Sequence, residues 1–158
     1  MKYLWSLVRH KWFVFRAGLK TKAPLWRLVI HDWTKLLPWE FRHYNRQWYG
    51  DGQDAEGYAR AWLHHQNHNP HHWEYWWSRD ETHYTDLAKF TCLDMPEHFI
   101  REMVADWMGA CRAYTGHWPS PGNWPWWDTN QIKMGRVLTG RTLNRVTQLL
   151  KECNCIEG

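Results

Sequence analysis

His64-His65-Gln66-Asn67-His68-Asn69-Pro70-His71-His72 holds five of the chain's eleven histidines. Imidazole is the commonest protein ligand for transition metals and titrates near neutral pH, so the run reads as one wall of a metal site. A histidine-rich, solvated helix face has the same composition, and partners elsewhere in the chain must decide between the two. Residues 55–68 read as a helix, with Ala61, Trp62 and His65 on one aspect and His64 and His68 one turn apart. Asn69-Pro70 reads as a cap followed by proline at a first helical position. That starts a new helix with His71 and His72 in its first turn and Trp73, Tyr75, Trp76 and Trp77 behind them. The wall is therefore bent, and the remaining chain is a helical scaffold that supplies its partners.

Upstream, residues 3–19 read as a helix with Tyr3, Leu7, Val14 and Ala17 on one face and His10 on the same stripe. A histidine on such a face is as readily a satisfied core residue as a ligand. Pro24 can open a second helix, on which Leu28, His31, Asp32 and Lys35 fall at intervals of three and four and share a face. Its context is apolar, and buried charges are paired or bind metal; the plainer alternative is a surface ion pair of Asp32 with Lys35. Pro38 opens an aromatic helix with Trp39, Phe41, Tyr44 and Trp48, closed by Gly50-Asp51-Gly52.

Downstream, the polar residues 78–94 read as a surface loop of a length that suits a lid or a specificity loop. Asp94-Met95-Pro96-Glu97 has a capping-box pattern. The helix it opens runs to about Tyr114, with Phe99, Glu102, Met103, Asp106 and Ala110 on one face. Asp106 is a lone carboxylate in the apolar run Met103 to Met108, bound for a metal or for an ion pair with Arg101 or Arg112. Residues 115–127 form an irregular connection rich in proline, glycine and tryptophan. A closing helix over 129–152 turns Leu143, Val146 and Leu150 inward. No stretch alternates as a strand should.

The 158 residues fit one domain, 1–158, with its core over about 3–114. The expected fold is all-α, a compact helical bundle. Fifteen tryptophans exceed what a core can absorb, since each buried indole N–H wants a partner, so some belong at a pocket or an interface. A net charge of +4 suits a phosphorylated ligand but is weak for nucleic acid. Cys92, Cys111, Cys153 and Cys155 show no disulfide framework and no thiolate zinc motif, which points to a reduced, cytoplasmic setting. Arg9, His10, Lys11 and Arg16 interrupt the N-terminal apolar run, so neither a signal peptide nor a membrane span is expected.

The ordered set is His10, then His31-Asp32, then the His64 to His72 cluster, then Asp106, each on a different expected helix. Imidazoles with carboxylates suit zinc, manganese, iron or nickel, and a mixed nitrogen and oxygen set is typical of hydrolytic sites. There are ligands enough for one or two ions, and two would clamp an in-line displacement at phosphorus.

That order on a helical chain resembles the HD-domain metal-dependent phosphohydrolases over roughly residues 10–110. His31-Asp32-Trp33-Thr34-Lys35 looks like the His-Asp-x-Gly-Lys signature of their dinuclear branch, with Thr34 where glycine is usual. Met103-Val104-Ala105-Asp106 looks like the helix bearing their last metal carboxylate. The resemblance implies an HD-like fold and hydrolysis of a nucleotide or other phosphate ester by a metal-activated water. It makes His31, Asp32 and Asp106 core ligands, completed by His10 and His64. His65, His71 and His72 become candidates for a second metal or for proton donation, and Lys35 for neutralising a substrate phosphate. The short interval from His10 to His31 and the density of histidines over 64–72 depart from the pattern.

Through His10-Lys11-Trp12-Phe13-Val14, Ala61-Trp62-Leu63-His64-His65 and Met103 to Ala110, the whole chain also looks like a small uncharacterised family of bacterial and phage proteins, a likeness that supplies no activity. Two other classes compete. A non-enzymatic adaptor would use a structural metal, or none, and a tryptophan-rich surface for a protein partner. A single-strand nucleic-acid binder would have the aromatic residues but lacks a Lys/Arg stripe.

Overall fold

The stripe that begins at Tyr3 runs the length of the first helix. In the computed structural model, which describes residues 2–50, 52, 54–79 and 90–158, α1 (Lys2–Thr21) buries Tyr3, Leu7, His10, Val14, Ala17 and Thr21. Steps of three and four keep one face turned inward. Its main partner is α5 (Glu97–Thr115), which is buried around most of its circumference from Ile100 to Cys111. A helix that is apolar on nearly every side is one enclosed by others.

The two helices approach closely at Gly109, where a Cβ would fall 2.6 Å from the Val14 nitrogen and 2.7 Å from its Cα. Gly109 follows Asp106 by one turn and Val14 follows His10 by one turn, so this contact sets the spacing of two candidate site helices. Gly109→Ala is expected to push them apart at a cost of about 1–3 kcal/mol, the usual penalty of overpacking. Thermal denaturation followed by circular dichroism reads this directly, and an unchanged midpoint would refute it.

α2 (Leu25–Ile30) folds back on α1 where Gly18 leaves room for Leu28. It was expected to carry His31, Asp32 and Lys35 on one helical face, and it does not reach them. His31 is extended (φ −47°, ψ 131°), and Asp32 is left-handed (φ 55°, ψ 28°). A 3₁₀ turn then spans Trp33–Leu36, with the Lys35 N–H donating to the Asp32 carbonyl at 3.1 Å. In a helix, neighbouring side chains splay by about 100°. The break lets His31 and Asp32 face one interior point. Aspartate tolerates the left-handed region better than most residues, but the conformation still costs about 1–3 kcal/mol and concentrates at functional sites.

α3 (Pro38–Tyr49) and α4 (Ala55–His68) pack together and, with the start of α1, close a small cluster of Tyr3, Tyr44 and Ala61. α4 has the expected bounds. The helix expected from Pro70 is absent: His71 and His72 lie in a turn, followed by a 3₁₀ turn over Trp73–Trp76. The reason is the Asn69 side chain. It donates to the His65 carbonyl in the last turn of α4 (2.8 Å) and to Thr34 Oγ1 (2.9 Å), and caps no following helix.

The expected loop over 78–94 is framed by two short strands, β1 (Trp77–Arg79) and β2 (Phe90–Cys92), paired antiparallel with Trp77 opposite Cys92. The middle of that loop, 80–89, lies outside the described residues, so the lid reading does too. α5 starts where expected, without its capping box: Asp94 Oδ1 instead accepts from Thr139 Oγ1 at 2.5 Å. The single closing helix expected over 129–152 is two, α6 (Pro125–Val137) and α7 (Gly140–Glu152). Leu138 is extended, and the Thr139 side chain caps α7 by accepting from the Thr142 N–H. Both helices pack on α5 through the larger core, which includes Met103, Met108, Trp124, Met134, Val146 and Leu150. The fold is mostly helical, and among the described residues no helix is long and apolar enough to cross a membrane.

Candidate metal centre

Four segments meet between the two cores. α1 brings His10, the break after α2 brings His31 and Asp32, α4 and the turn after it bring His65, His71 and His72, and α5 brings Asp106. All except Asp106 are buried, and its side chain is 16% exposed.

Asp32 is the hub. Its Oδ2 lies 3.4 Å from His10 Nε2 and 3.6 Å from His31 Nε2. Those two nitrogens lie 3.1 and 3.5 Å from Asp106 Oδ1. The other oxygen, Asp32 Oδ1, lies 3.1 Å from His65 Nε2 and 3.4 Å from His71 Nε2. His72 completes this second group, whose ligand atoms lie within 4.8 Å of one another.

These atoms are close but misaligned for hydrogen bonding. The Nε2 atoms of His10, His31, His65, His71 and His72, and Asp32 Oδ1, are buried without a hydrogen-bond partner. Buried polar atoms are nearly always satisfied, so a cluster of orphans needs a cause. Atoms bound about 2.1 Å from one ion lie about 3.0 Å apart in octahedral geometry and about 3.4 Å apart in tetrahedral geometry, pointing at the ion rather than at each other. The observed separations match that spacing. The donor set, imidazole with carboxylate and no thiolate, suits zinc, manganese, iron or nickel.

The electrostatics agree. Burial alone would raise the Asp32 carboxyl, but His31, Lys35 and His65 hold it well below the usual carboxylate range. Burial likewise opposes ionisation of Asp106, which His10 and His31 hold well below that range. Burial disfavours charge on His31 too, yet Asp32, Asp106 and Glu102 push its pKa up to about 9. His10 and His71 are raised against burial in the same way. Protons on imidazole here occupy the electrostatic place of a cation, and a bound ion would displace them. His72 differs: burial, then His71 and His65, push it well below its ordinary value, so its ring stays neutral.

Lys35 Nζ donates to Asp32 Oδ2 at 2.6 Å, the ion pair that the sequence offered as the plainer alternative, but with Asp32 buried and the Lys35 side chain only 16% exposed rather than on an open surface. The pairing of Asp106 with Arg101 or Arg112 does not form; Arg101 pairs with Glu97. His64 is not brought to the centre. It is partly exposed, bonds Glu40 through Nδ1 and stacks on His68 at 3.9 Å between ring centroids. On α4 the inward position belongs to His65, one residue and about 100° away.

The supporting residues were not picked out in the sequence. Glu102 Oε1 accepts from His31 Nδ1 at 3.1 Å and lies 3.3 Å from His71 Nδ1, and Arg27 Nε donates to its Oε2 at 2.6 Å. Burial would raise Glu102, but His31 and His71 lower it to about 2. Thr34, which stands where the His-Asp-x-Gly-Lys signature usually has glycine, sets Oγ1 2.7 Å from His65 Nδ1, placed to accept its N–H. Such partners fix which ring nitrogen is free for a cation, and their loss typically costs about 10–100-fold in metal affinity. Glu102→Gln is expected to weaken binding on that scale in a competition titration against a fluorescent chelator. Unchanged affinity would reduce Glu102 to a structural partner of Arg27. The one sequence signal for it was its place one turn before Asp106 on the same face.

Fold and cluster together define a mostly helical, histidine-rich protein with His/Asp groups able to hold a metal ion. The chain belongs to the family described as Family of unknown function (DUF5662), whose model matches residues 1–152. This agrees with the resemblance to an uncharacterised family. No curated protein and no solved structure matches the chain.

Proposed function

We propose that the protein is a metal-dependent phosphohydrolase of HD-domain type, acting on a nucleotide or other phosphate ester. One observation carries the reading: the two oxygens of Asp32 each face a separate set of unpartnered imidazole nitrogens. His10, His31, Asp32 and Asp106 would hold one divalent ion, and Asp32, His65 and His71, with His72 beside them, a second. Ions so held supply Lewis acidity and lower the pKa of a water to near neutrality. The chain's own residues do the rest. Glu102 and Thr34 orient the ligand rings, and burial keeps bulk water from the carboxylates. Lys35 carries a fixed positive charge next to Asp32, where a phosphoryl oxygen would sit. In this assignment His65 is a ligand rather than a proton donor, because both of its nitrogens are committed. The four free cysteines accord with a cytoplasmic location.

The test is a panel of nucleotides and an aryl phosphate with zinc, manganese, iron or nickel added to protein carrying no histidine tag. Metal-dependent release of phosphate is expected. A second reading, an adaptor for a protein partner, draws on exposed Trp5 and Trp12 of α1 and Trp26 and Val29 of α2. Inactivity across the panel, with a partner captured through those residues, would favour it.

A further inference from the structure

A cavity of about 500 Å³ opens beside the centre, with His10 and Lys35 among its lining residues. Its walls are aromatic, including Tyr3, Tyr44, Tyr58, Trp62 and Tyr114. Among the described lining residues Lys35 is the single lysine or arginine, and none is a carboxylate. Two wall residues carry an unmet demand. The hydroxyls of Tyr3 and Tyr44 are buried without a hydrogen-bond partner, in side chains only 7% and 4% exposed. Replacing either hydroxyl with hydrogen would remove a desolvation penalty, so packing alone would favour phenylalanine at both places. Burial raises the pKa of both phenols, which keeps them protonated as donors.

A tetrahedral dianion suits this arrangement: phenol donors, one ammonium, and a cation-binding cluster at the floor. The volume falls in the range of small-molecule sites, and aromatic faces and edges take planar groups. One fixed ammonium matches a single phosphate, of charge about −1.5 to −2, better than a polyphosphate. We propose that this cavity binds a phosphate monoester whose alcohol carries a planar ring, with Tyr3, Tyr44 and Lys35 on the phosphoryl oxygens and the ring among Tyr58, Trp62 and Tyr114. The choice of phosphate rests on the phosphohydrolase reading; the selection for a ring does not.

The experiment uses two non-hydrolysable probes, phenylphosphonate and methylphosphonate, titrated calorimetrically into the full chain, both metal-free and reconstituted with manganese. Phenylphosphonate is expected to bind at least tenfold tighter than methylphosphonate. Tyr3→Phe with Tyr44→Phe should weaken phenylphosphonate at least tenfold while leaving the thermal midpoint equal or higher, a combination that a structural role would not give. Equal affinity for the two probes, which needs no variant, would overturn the proposal. So would wild-type affinity in the double variant or in both single variants. Phenyl phosphate hydrolysis is scored separately. Ring-selective binding without turnover sinks the enzyme and keeps the cavity assignment; turnover without ring selectivity does the reverse.

Discussion

Asp32→Ala is expected to empty both halves of the centre at once, whereas Asp106→Ala should empty mainly one. The difference follows from the geometry. Asp32 presents Oδ2 to His10 and His31 and Oδ1 to His65 and His71. Asp106 Oδ1 stands near His10 and His31, and its Oδ2 only reaches 3.9 Å from His71 Nε2. Metal analysis of purified protein should therefore fall from about two ions to none in the first variant and to about one in the second, given the two-ion reading. Stability should follow. A ligand at about 1,000 times its Kd stabilises the native state by about 4 kcal/mol. For a chain of this size that is about 10 °C of thermal midpoint. The wild type should gain that much on metal addition, the Asp32→Ala protein nothing, and phosphate release should vanish with it. An Asp32→Ala protein that keeps its metal and its response to metal would end the assignment.

Lys35→Met separates chemistry from metal holding. The Lys35 ammonium sits 2.6 Å from Asp32 Oδ2 and is partly buried. In metal-free protein the substitution removes a charged hydrogen bond, worth about 1.5–3 kcal/mol, so the apo form should melt earlier. Metal should restore most of that loss, because a cation then meets the Asp32 charge. Turnover should not recover. Losing one preorganised electrostatic donor costs about 10²–10³ in kcat. The measurement is kcat at full metal occupancy, beside thermal midpoints with and without metal. Wild-type kcat in a fully metallated Lys35→Met protein would make Lys35 a counter-ion of Asp32 and nothing more, with the histidine and aspartate assignments intact.

How much of this was legible in the sequence depended on whether a residue sat inside a regular element. His10 and Asp106 could be placed because each occupies an apolar helical stripe, and periodicity survives into the fold. The bounds of α4 were legible for the same reason. The His31-Asp32 pair was found by its context, but its backbone was not, because the left-handed turn at Asp32 is set by what the two side chains reach for across space. Choosing between His64 and His65 needed the rotation of α4 about its own axis, which one polar-rich helix does not fix. Asn69 looked like a cap because asparagine before proline usually is one. Its side chain is used by Thr34, thirty-five positions earlier in sequence. Glu102 read as a core-facing acid of unstated purpose, since its two imidazole neighbours come from distant segments.

The sharing of groups between the two halves bears on how the centre fills. Asp32 serves both, and Glu102 Oε1 lies 3.1 Å from His31 Nδ1 and 3.3 Å from His71 Nδ1, one ring of each half. On the two-ion reading, the residues of one half would hold a first ion with the Asp32 carboxylate ionised and their own rings deprotonated, and Glu102, drawn to His31, would favour one orientation of the His71 ring beside it. Part of the ordering that a second ion would require would then already be done. Against this would stand the repulsion of two dications, which an ionised Asp32, shared by both groups of residues, would offset. Loading is thus expected to be cooperative, with half-filled protein scarce at intermediate metal. Native mass spectrometry across a titration would count the species, and Glu102→Gln should bring the singly loaded form into view.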